Sequence, residues 1–165
     1  MPATFEKIAT TTLGSAASAI TFNSIGSGYT DLRISFAIIG GAGTAGQFDI
    51  TYNNDTSSLY SITRLYGDGS ARGSNRYSGT ALYPCNNSFS STPPVFATID
   101  LFSYAGSTFK TALIEYSNDA NGSGSVERSV GLYRSTSAIT RIDLGGVGGT
   151  FAIGTTATLY GILKA

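Results

Sequence analysis

The sequence predicts an all-β protein, an antiparallel β-sandwich that forms a single domain over residues 1–165. Short segments alternate apolar and polar residues with period two, and turn-forming residues separate these segments roughly every 8–16 residues. No segment has the 3.6-residue period of an amphipathic helix. Strands at this spacing, with no helices between them, fold as sandwiches or barrels. The chain has no Trp and one Cys, which disfavours an immunoglobulin domain.

The alternation is clearest in two segments, and we expect each to bury one face in the same core. One face consists of Leu32, Ile34, Phe36 and Ile38, and the other consists of Val95, Ala97, Ile99 and Leu101. About ten short strands with little or no helix are predicted in all, and this number fits a jelly roll best. They cover residues 5–13, 19–22, 32–38, 48–52, 59–66, 81–83, 95–104, 109–116, 126–133, 139–144 and 156–163.

The last predicted strand, residues 156–163, carries apolar residues on both sides. Tyr160 and Ile162 lie on one side, and Leu159 lies on the other. A strand of this kind is usually central and covered on both faces, so we expect both sides to be buried in the core. A contact with another copy through Tyr160 and Ile162 is the alternative. Gly161 has no side chain, which predicts that another group packs closely against it.

Residues 67–77 are rich in Gly, Ser and Asn, and they predict a long polar loop. Arg72, Arg76 and Tyr77 in this segment are candidate partner-binding residues, because Arg and Tyr are over-represented at interface hot spots. A solvated loop without a partner is the alternative interpretation.

Composition predicts assembly with other proteins and argues against nucleic acid and membrane as partners. Lys plus Arg equals Asp plus Glu at ten each, and charged residues make up only 12% of the chain. A nucleic-acid or anionic membrane surface would favour a basic excess, and no run approaches the roughly 18 apolar residues of a membrane helix. A neutral surface favours association. Ten Tyr are also more than we expect one small core to hold.

Catalytic chemistry is not expected. The chain has no His, and Cys85 is alone, which excludes Ser-His-Asp and Cys-His catalysis and also disulfides within the chain. Carboxylate pairs could serve a glycosidase, but the carboxylates are scattered and none can be paired from the sequence. They are Asp49, Asp55, Asp68, Asp100, Glu115, Asp119, Glu127 and Asp143. We therefore predict no enzymatic activity and no cofactor, with Cys85 an inert, partly buried thiol.

The segment 118–124 has two interpretations. Asp119, Asn121 and Ser123 are spaced like the first ligands of a calcium loop, but Val130 stands where that loop needs its bidentate Glu. The Asn-Gly dipeptide in this segment suits the positive φ angles of a tight hairpin turn. We predict the hairpin turn, and no metal site.

Several stretches together resemble a family of small virion proteins of tailed bacteriophages. The longest are YNNDTSSLYSITRLYGDG (52–69), AITRIDL (138–144) and GTTATLYGI (154–162). The opening segments FEKI (5–8), ITFNSI (20–25) and YTDLRI (29–34) also contribute. Members of this family resemble head decoration or cement proteins, and the same module occurs in tail-fibre and other minor structural proteins. The resemblance covers most of the chain.

The resemblance implies a jelly-roll protein, often trimeric, that is fixed to a virion and has no catalytic motif. The expected function is to bind the major capsid protein and reinforce the head from its outer surface, after synthesis in the host cytoplasm. A tail-fibre or glycan-binding recognition module is the alternative. Contacts to the capsid are expected at one end of the sandwich, from the segment 67–77 and from an N-terminal segment with Pro2, Phe5 and Lys7.

Overall fold

The structure, a computed structural model, describes residues 4–41, 46–85, 94–119 and 121–163. Within these ranges the chain forms eleven β-strands, and none of the described segments is a helix that could cross a membrane. The strands are β1 (Phe5–Thr12), β2 (Ala19–Phe22), β3 (Asp31–Ile38), β4 (Gln47–Tyr52), β5 (Tyr60–Gly67), β6 (Arg72–Gly79), β7 (Val95–Phe102), β8 (Lys110–Asp119), β9 (Gly124–Tyr133), β10 (Ile142–Val147) and β11 (Thr156–Ile162).

The strands pair antiparallel and build two sheets of unequal width. The larger sheet has eight strands in the order β1-β11-β3-β7-β8-β9-β5-β6, and the smaller sheet has three in the order β2-β10-β4. The smaller sheet packs against one face of the larger one, and the apolar side chains between them form the core. The predicted antiparallel sandwich is therefore confirmed.

The strand pairings are nested along the chain. β1 pairs with β11, β2 with β10 and β3 with β7, while Ile50 of β4 forms a bridge with Leu82. A long hairpin that rolls up in this nested order is a jelly roll. The hairpins β5–β6 and β8–β9 are insertions into that pattern, and both extend only the larger sheet.

Both of the clearest alternating segments bury their apolar faces in one core, as predicted. They form the neighbouring strands β3 and β7, where Leu32 lies opposite Leu101 and Ile34 lies opposite Ile99. All eight residues of the two faces are buried. From the smaller sheet, Phe48 packs edge-on against Phe36, with ring centroids 5.6 Å apart.

The last strand, β11, lies between β1 and β3, but only one of its sides is in the core. Leu159 is fully buried, whereas Tyr160 and Ile162 on the other side are half-buried. The expectation that both sides are buried in the core was wrong, because the smaller sheet covers only one face of the larger one. Gly161 does meet a close neighbour: a Cβ placed there would collide with the ring of Tyr29.

The segment 67–77, predicted to be a loop, instead forms the turn between β5 and β6 and most of β6. Only a short turn joins the two strands, and Asp68 closes it by accepting hydrogen bonds from the backbone N–H groups of Ser70 and Ala71 at 2.9 and 2.6 Å. The prediction failed because β6 is an edge strand. Such a strand needs few apolar side chains, and its backbone pairing with β5 supplies the order.

The hairpin turn predicted between β8 and β9 is confirmed. Asn121 and Gly122 have φ angles of 57° and 102°, which are the positive values that an Asn-Gly dipeptide suits. The carboxylate of Asp119 accepts a hydrogen bond from the backbone N–H of Asn121 at 3.0 Å. Among the described residues, no three His, Cys, Asp or Glu side chains gather as a metal site would require.

The number of Tyr residues led us to expect that many of them would lie on the surface, but none of the ten is fully exposed. Five of the ten are buried, and the other five are half-buried. Tyr60 stacks on Tyr133 with centroids 4.7 Å apart, and Tyr133 donates a hydrogen bond to Asp55 at 2.7 Å. Any argument for assembly must therefore come from other side chains.

Replacing Ile34 or Leu101 with Asp should prevent folding. Burying a large aliphatic side chain is worth about 1.5–3 kcal/mol, and a charge in its place would have no partner in the core. Ser35→Asp is the matched control, because Ser35 lies on the same strand but faces outward and is exposed. Circular dichroism should show β-structure for the control alone. A folded Ile34→Asp variant would contradict the core described here.

Adding a methyl group at Gly161 should destabilise the protein through Tyr29. Gly161→Ala places its Cβ against the Tyr29 ring, so the ring must move. Overpacking of this kind costs roughly 1–3 kcal/mol. In the double variant with Tyr29→Ala, the added methyl group should cost much less, because the ring is gone. Urea unfolding of the four proteins in this cycle measures the coupling, and additive effects would refute the contact.

Candidate partner-binding face

The face of the larger sheet that points away from the smaller sheet is broad and uncovered by any described strand. We call it the outer face. Side chains on alternate residues of all eight strands form it, in rows that run across the sheet. One row joins the two edges and consists of Lys7, Tyr160, Arg33, Asp100, Leu113, Val130, Thr63 and Arg76.

Most of the exposed apolar side chains lie on this one face. Eight large apolar side chains are exposed among the described residues, and six of them point outward from the larger sheet. These six are Phe5, Leu65, Phe96, Phe102, Val126 and Val130. Leu65, Val126 and Val130 lie on the neighbouring strands β5 and β9, whereas Phe5 lies at the far edge of the sheet. Exposed apolar residues that gather on neighbouring strands suit an interaction surface.

Strand β9 is inverted relative to an ordinary half-buried strand. Its outward side chains include Val126 and Val130, which are 69% and 51% exposed. Its inward side chains from Ser125 to Gly131 are polar or absent, and only Tyr133 at the end of the strand places a ring in the core. The more apolar side of this strand therefore faces away from the core.

The contacts beneath β9 explain why its inward side is polar. Glu127 Oε2 lies 3.3 Å from Arg64 Nε on β5, and both side chains are almost completely buried. These two atoms form an ion pair, but their geometry is not that of a hydrogen bond. Ser129 donates a hydrogen bond to the carbonyl oxygen of Pro84 at 3.0 Å. At Gly131 a Cβ would lie 2.7 Å from Leu82, so no larger residue fits there without displacing Leu82.

Two ion pairs lie in the middle of the outer face. Arg33 donates two hydrogen bonds to Asp100, at 2.5 and 2.7 Å, and this bidentate bond raises the pKa of Arg33. Arg128 lies 3.5 Å from Glu115, and both are exposed. The middle of the face therefore presents apolar groups and paired charges, whereas Lys7, Arg72 and Arg76 place positive charges on its edge strands.

Two shallow grooves run on either side of β9. Phe96, Val126 and the Glu115–Arg128 pair border one groove, and Thr98 and Ser117 also line it. The other is bordered by Val130, Leu132 and Arg76, with Ser61 and Thr63 between them. Small residues between apolar walls leave room for side chains of a partner.

The structure places four of the six predicted partner-binding residues on the outer face. Phe5 and Lys7 lie on β1 at one edge, and Arg72 and Arg76 lie on β6 at the opposite edge. Seven inter-strand spacings of about 4.8 Å separate these edges. We expected the two groups to meet at one end of the sandwich, but they lie at opposite edges of the sheet. Their role in binding stays a prediction.

The remaining two residues do not contribute to this face. Pro2 lies outside the described residues. Tyr77 is on β6 but points to the inner side, where its hydroxyl donates a hydrogen bond to the carbonyl oxygen of Tyr83. Burial raises the pKa of Tyr77. Cys85 is also on this inner side and is fully buried, and burial raises the pKa of its thiol to about 12.

The smaller sheet brings together two carboxylates that could not be paired from the sequence. Asp49 on β4 and Asp143 on β10 lie diagonally across the pairing of these strands. Burial raises the pKa of Asp49, and the charge of Asp143 adds to this effect. Burial also pushes the pKa of Asp143 upward, but hydrogen bonds from Arg141 and Thr21 outweigh it and lower the pKa. These contacts give Asp143 a structural role, and the absence of catalysis stays a prediction.

A scan of protein-family models and a search of curated proteins found no match to this chain.

The outer face itself was not predicted from the sequence. The apolar residues of β9 are evident in the sequence, but the alternation of apolar and polar residues does not reveal which side of a strand faces the core.

Breaking the buried pair from one side should be more harmful than replacing it. Arg64→Met would leave the Glu127 carboxylate buried without its countercharge, and we expect a loss of about 3–5 kcal/mol in the free energy of unfolding. The double variant Arg64→Met/Glu127→Leu should recover much of this loss. Urea denaturation measures each value. A double variant as unstable as the sum of its single variants would contradict the pairing.

Proposed function

We propose that the chain is a structural protein of a tailed-bacteriophage virion, and that it decorates and reinforces the head. One observation carries the proposal: the broad outer face, which holds six of the eight exposed large apolar side chains of the described residues and two ion pairs in its middle. Such a face suits stable burial against another protein. The resemblance to small virion proteins supplies the setting, with the major capsid protein as partner and a homotrimer as the assembly.

The proposed protein acts by burying complementary surface, without turnover. A decoration protein stabilises a shell because it binds the assembled state and not the separated subunits, which shifts the equilibrium towards assembly. Apolar contacts and backbone groups would provide most of the energy of binding to the capsid, since charged residues make up only 12% of the chain. Binding of this kind should survive high salt, because screening weakens exposed charge pairs and leaves apolar burial intact.

Gold-labelled antibodies against the purified protein test the proposal on virions produced from the genome that encodes it. We expect label on the outer surface of the heads. The label should persist after a wash in about 1 M salt, a concentration that screens surface charges. Virions from a deletion of the gene provide the control. These heads should also break at a lower temperature than wild-type heads.

Each other outcome of this experiment has a defined meaning. Label confined to the tails would replace the decoration function with the tail-fibre or recognition module. Virions that carry no label would contradict a structural role in the particle. Label that the salt wash removes would contradict the apolar mode of binding.

A further inference from the structure

We propose that the outer face is the surface through which copies of this chain contact one another, with β9 at the centre of the contact. The inference deepens the self-assembly included in the proposed function and rests on that part of it alone. The occupant of the face is thus a second copy of the chain, packed face to face about a two-fold axis. Such a contact forms a dimer, which differs from the homotrimer that the family resemblance implies.

The first argument is the inversion of β9. Val126 and Val130 expose more than half of their surface in one copy, while the same strand buries Glu127 and Ser129. Turning the strand over would bury the two valines, but it would also expose Glu127 and separate it from Arg64. The inward contacts hold the valines outward, and a second copy would cover them.

The second argument is the size of the face. It is seven strand spacings of about 4.8 Å wide, and strands of eight residues make it about 25 Å long. A contact over the whole face would therefore bury roughly 800 Å² from each copy, which is the area that a typical stable interface requires.

The third argument concerns charge in the middle of the face, where the charged groups are paired and leave no excess charge for an acidic or basic partner. Arg33 is paired with Asp100, and Arg128 is paired with Glu115, within each copy. The chain as a whole has no net charge, so copies approach one another without long-range repulsion. Lys7, Arg72 and Arg76 lie on the edge strands, at the rim, where water screens their charges.

The fourth argument is that the edges of the larger sheet are poorly suited to pairing with another copy. β1 has a bulge between Lys7 and Ala9, which interrupts its regular ladder. β6 carries Arg72 and Arg76. Bulges and charges are the devices by which proteins protect edge strands from association. The edges therefore favour assembly through the outer face over strand pairing at the edges.

The grooves beside β9 complete the geometry of the proposed contact. Sheets that pack face to face lie about 10 Å apart and interdigitate their side chains. The groove between Phe96 and Val126 and the groove between Val130 and Arg76 offer room for the projecting apolar side chains of the second copy.

Sedimentation velocity of the purified full chain and four variants tests the inference over a range of micromolar concentrations. Val130→Asp and Leu65→Asp place a charge on the outer face, whereas Ile153→Asp, the matched control, alters an exposed apolar residue outside the larger sheet. We expect the wild-type chain and Ile153→Asp to sediment as assemblies. Both outer-face variants should sediment as monomers, with native circular dichroism.

The fourth variant, Val130→Thr, keeps the test decisive if the Asp substitutions prevent folding. Thr retains the branched shape that suits a strand and removes apolar surface. We expect it to weaken association at least about tenfold, the equivalent of about 1.4 kcal/mol, with little change in thermal midpoint. An association constant that Val130→Thr leaves unchanged would overturn the inference.

Two further results would also overturn it. The wild-type chain could sediment as a monomer throughout, or the folded Val130→Asp variant could assemble like the wild type. Neither result affects the gold labelling of virions, so a failure of this inference is distinguishable from a failure of the proposed function. Persistence of the wild-type assembly in high salt would support an apolar contact.

Discussion

The unequal width of the two sheets is the constraint on which the rest of the structure depends. A three-stranded sheet cannot cover an eight-stranded one, so half of the larger sheet's inner face needs another cover. Leu82 and Pro84 reach back over β9 and supply part of it. The buried contact between Arg64 and Glu127 occupies space beneath the same strands. The inserted hairpins are therefore held to the jelly roll by polar and close steric contacts as well as by their strand pairing.

The same constraint gives the outer face its character. Because the space beneath β9 holds Gly131 and an ion-paired Glu127, Val126 and Val130 on the other side of this strand point outward. A half-buried strand usually has the opposite arrangement. The cost of exposing Val126 and Val130 is offset if another protein surface covers them, which is why we assign the contact between copies to this face. A structural role in a particle, which requires surface burial and no chemistry, agrees with this arrangement.

Much of the fold could be predicted because it depends on local patterns. The strict alternation in β3 and β7 identified the two faces that meet in the core, and the Asn-Gly dipeptide identified the turn between β8 and β9. The site was less predictable. Four of the predicted partner-binding residues were expected in a terminus and a loop, but they lie on edge strands of one face. They are Phe5, Lys7, Arg72 and Arg76. Edge strands such as β6 lack an apolar pattern, so local signals give them the appearance of loops.

The amino-acid sequence was sufficient to predict an antiparallel sandwich and to identify the side chains that share a face of each strand. Both properties follow from the period-two geometry of a strand, which involves only near neighbours. Which face of a strand is buried, and which elements meet, depends on long-range packing. Leu82 stands over Gly131, and Tyr29 stands over Gly161, through contacts between segments far apart in the chain. The direction in which Val126 and Val130 point depends on such contacts, because alternation is symmetrical between the two sides of a strand and distant packing breaks that symmetry.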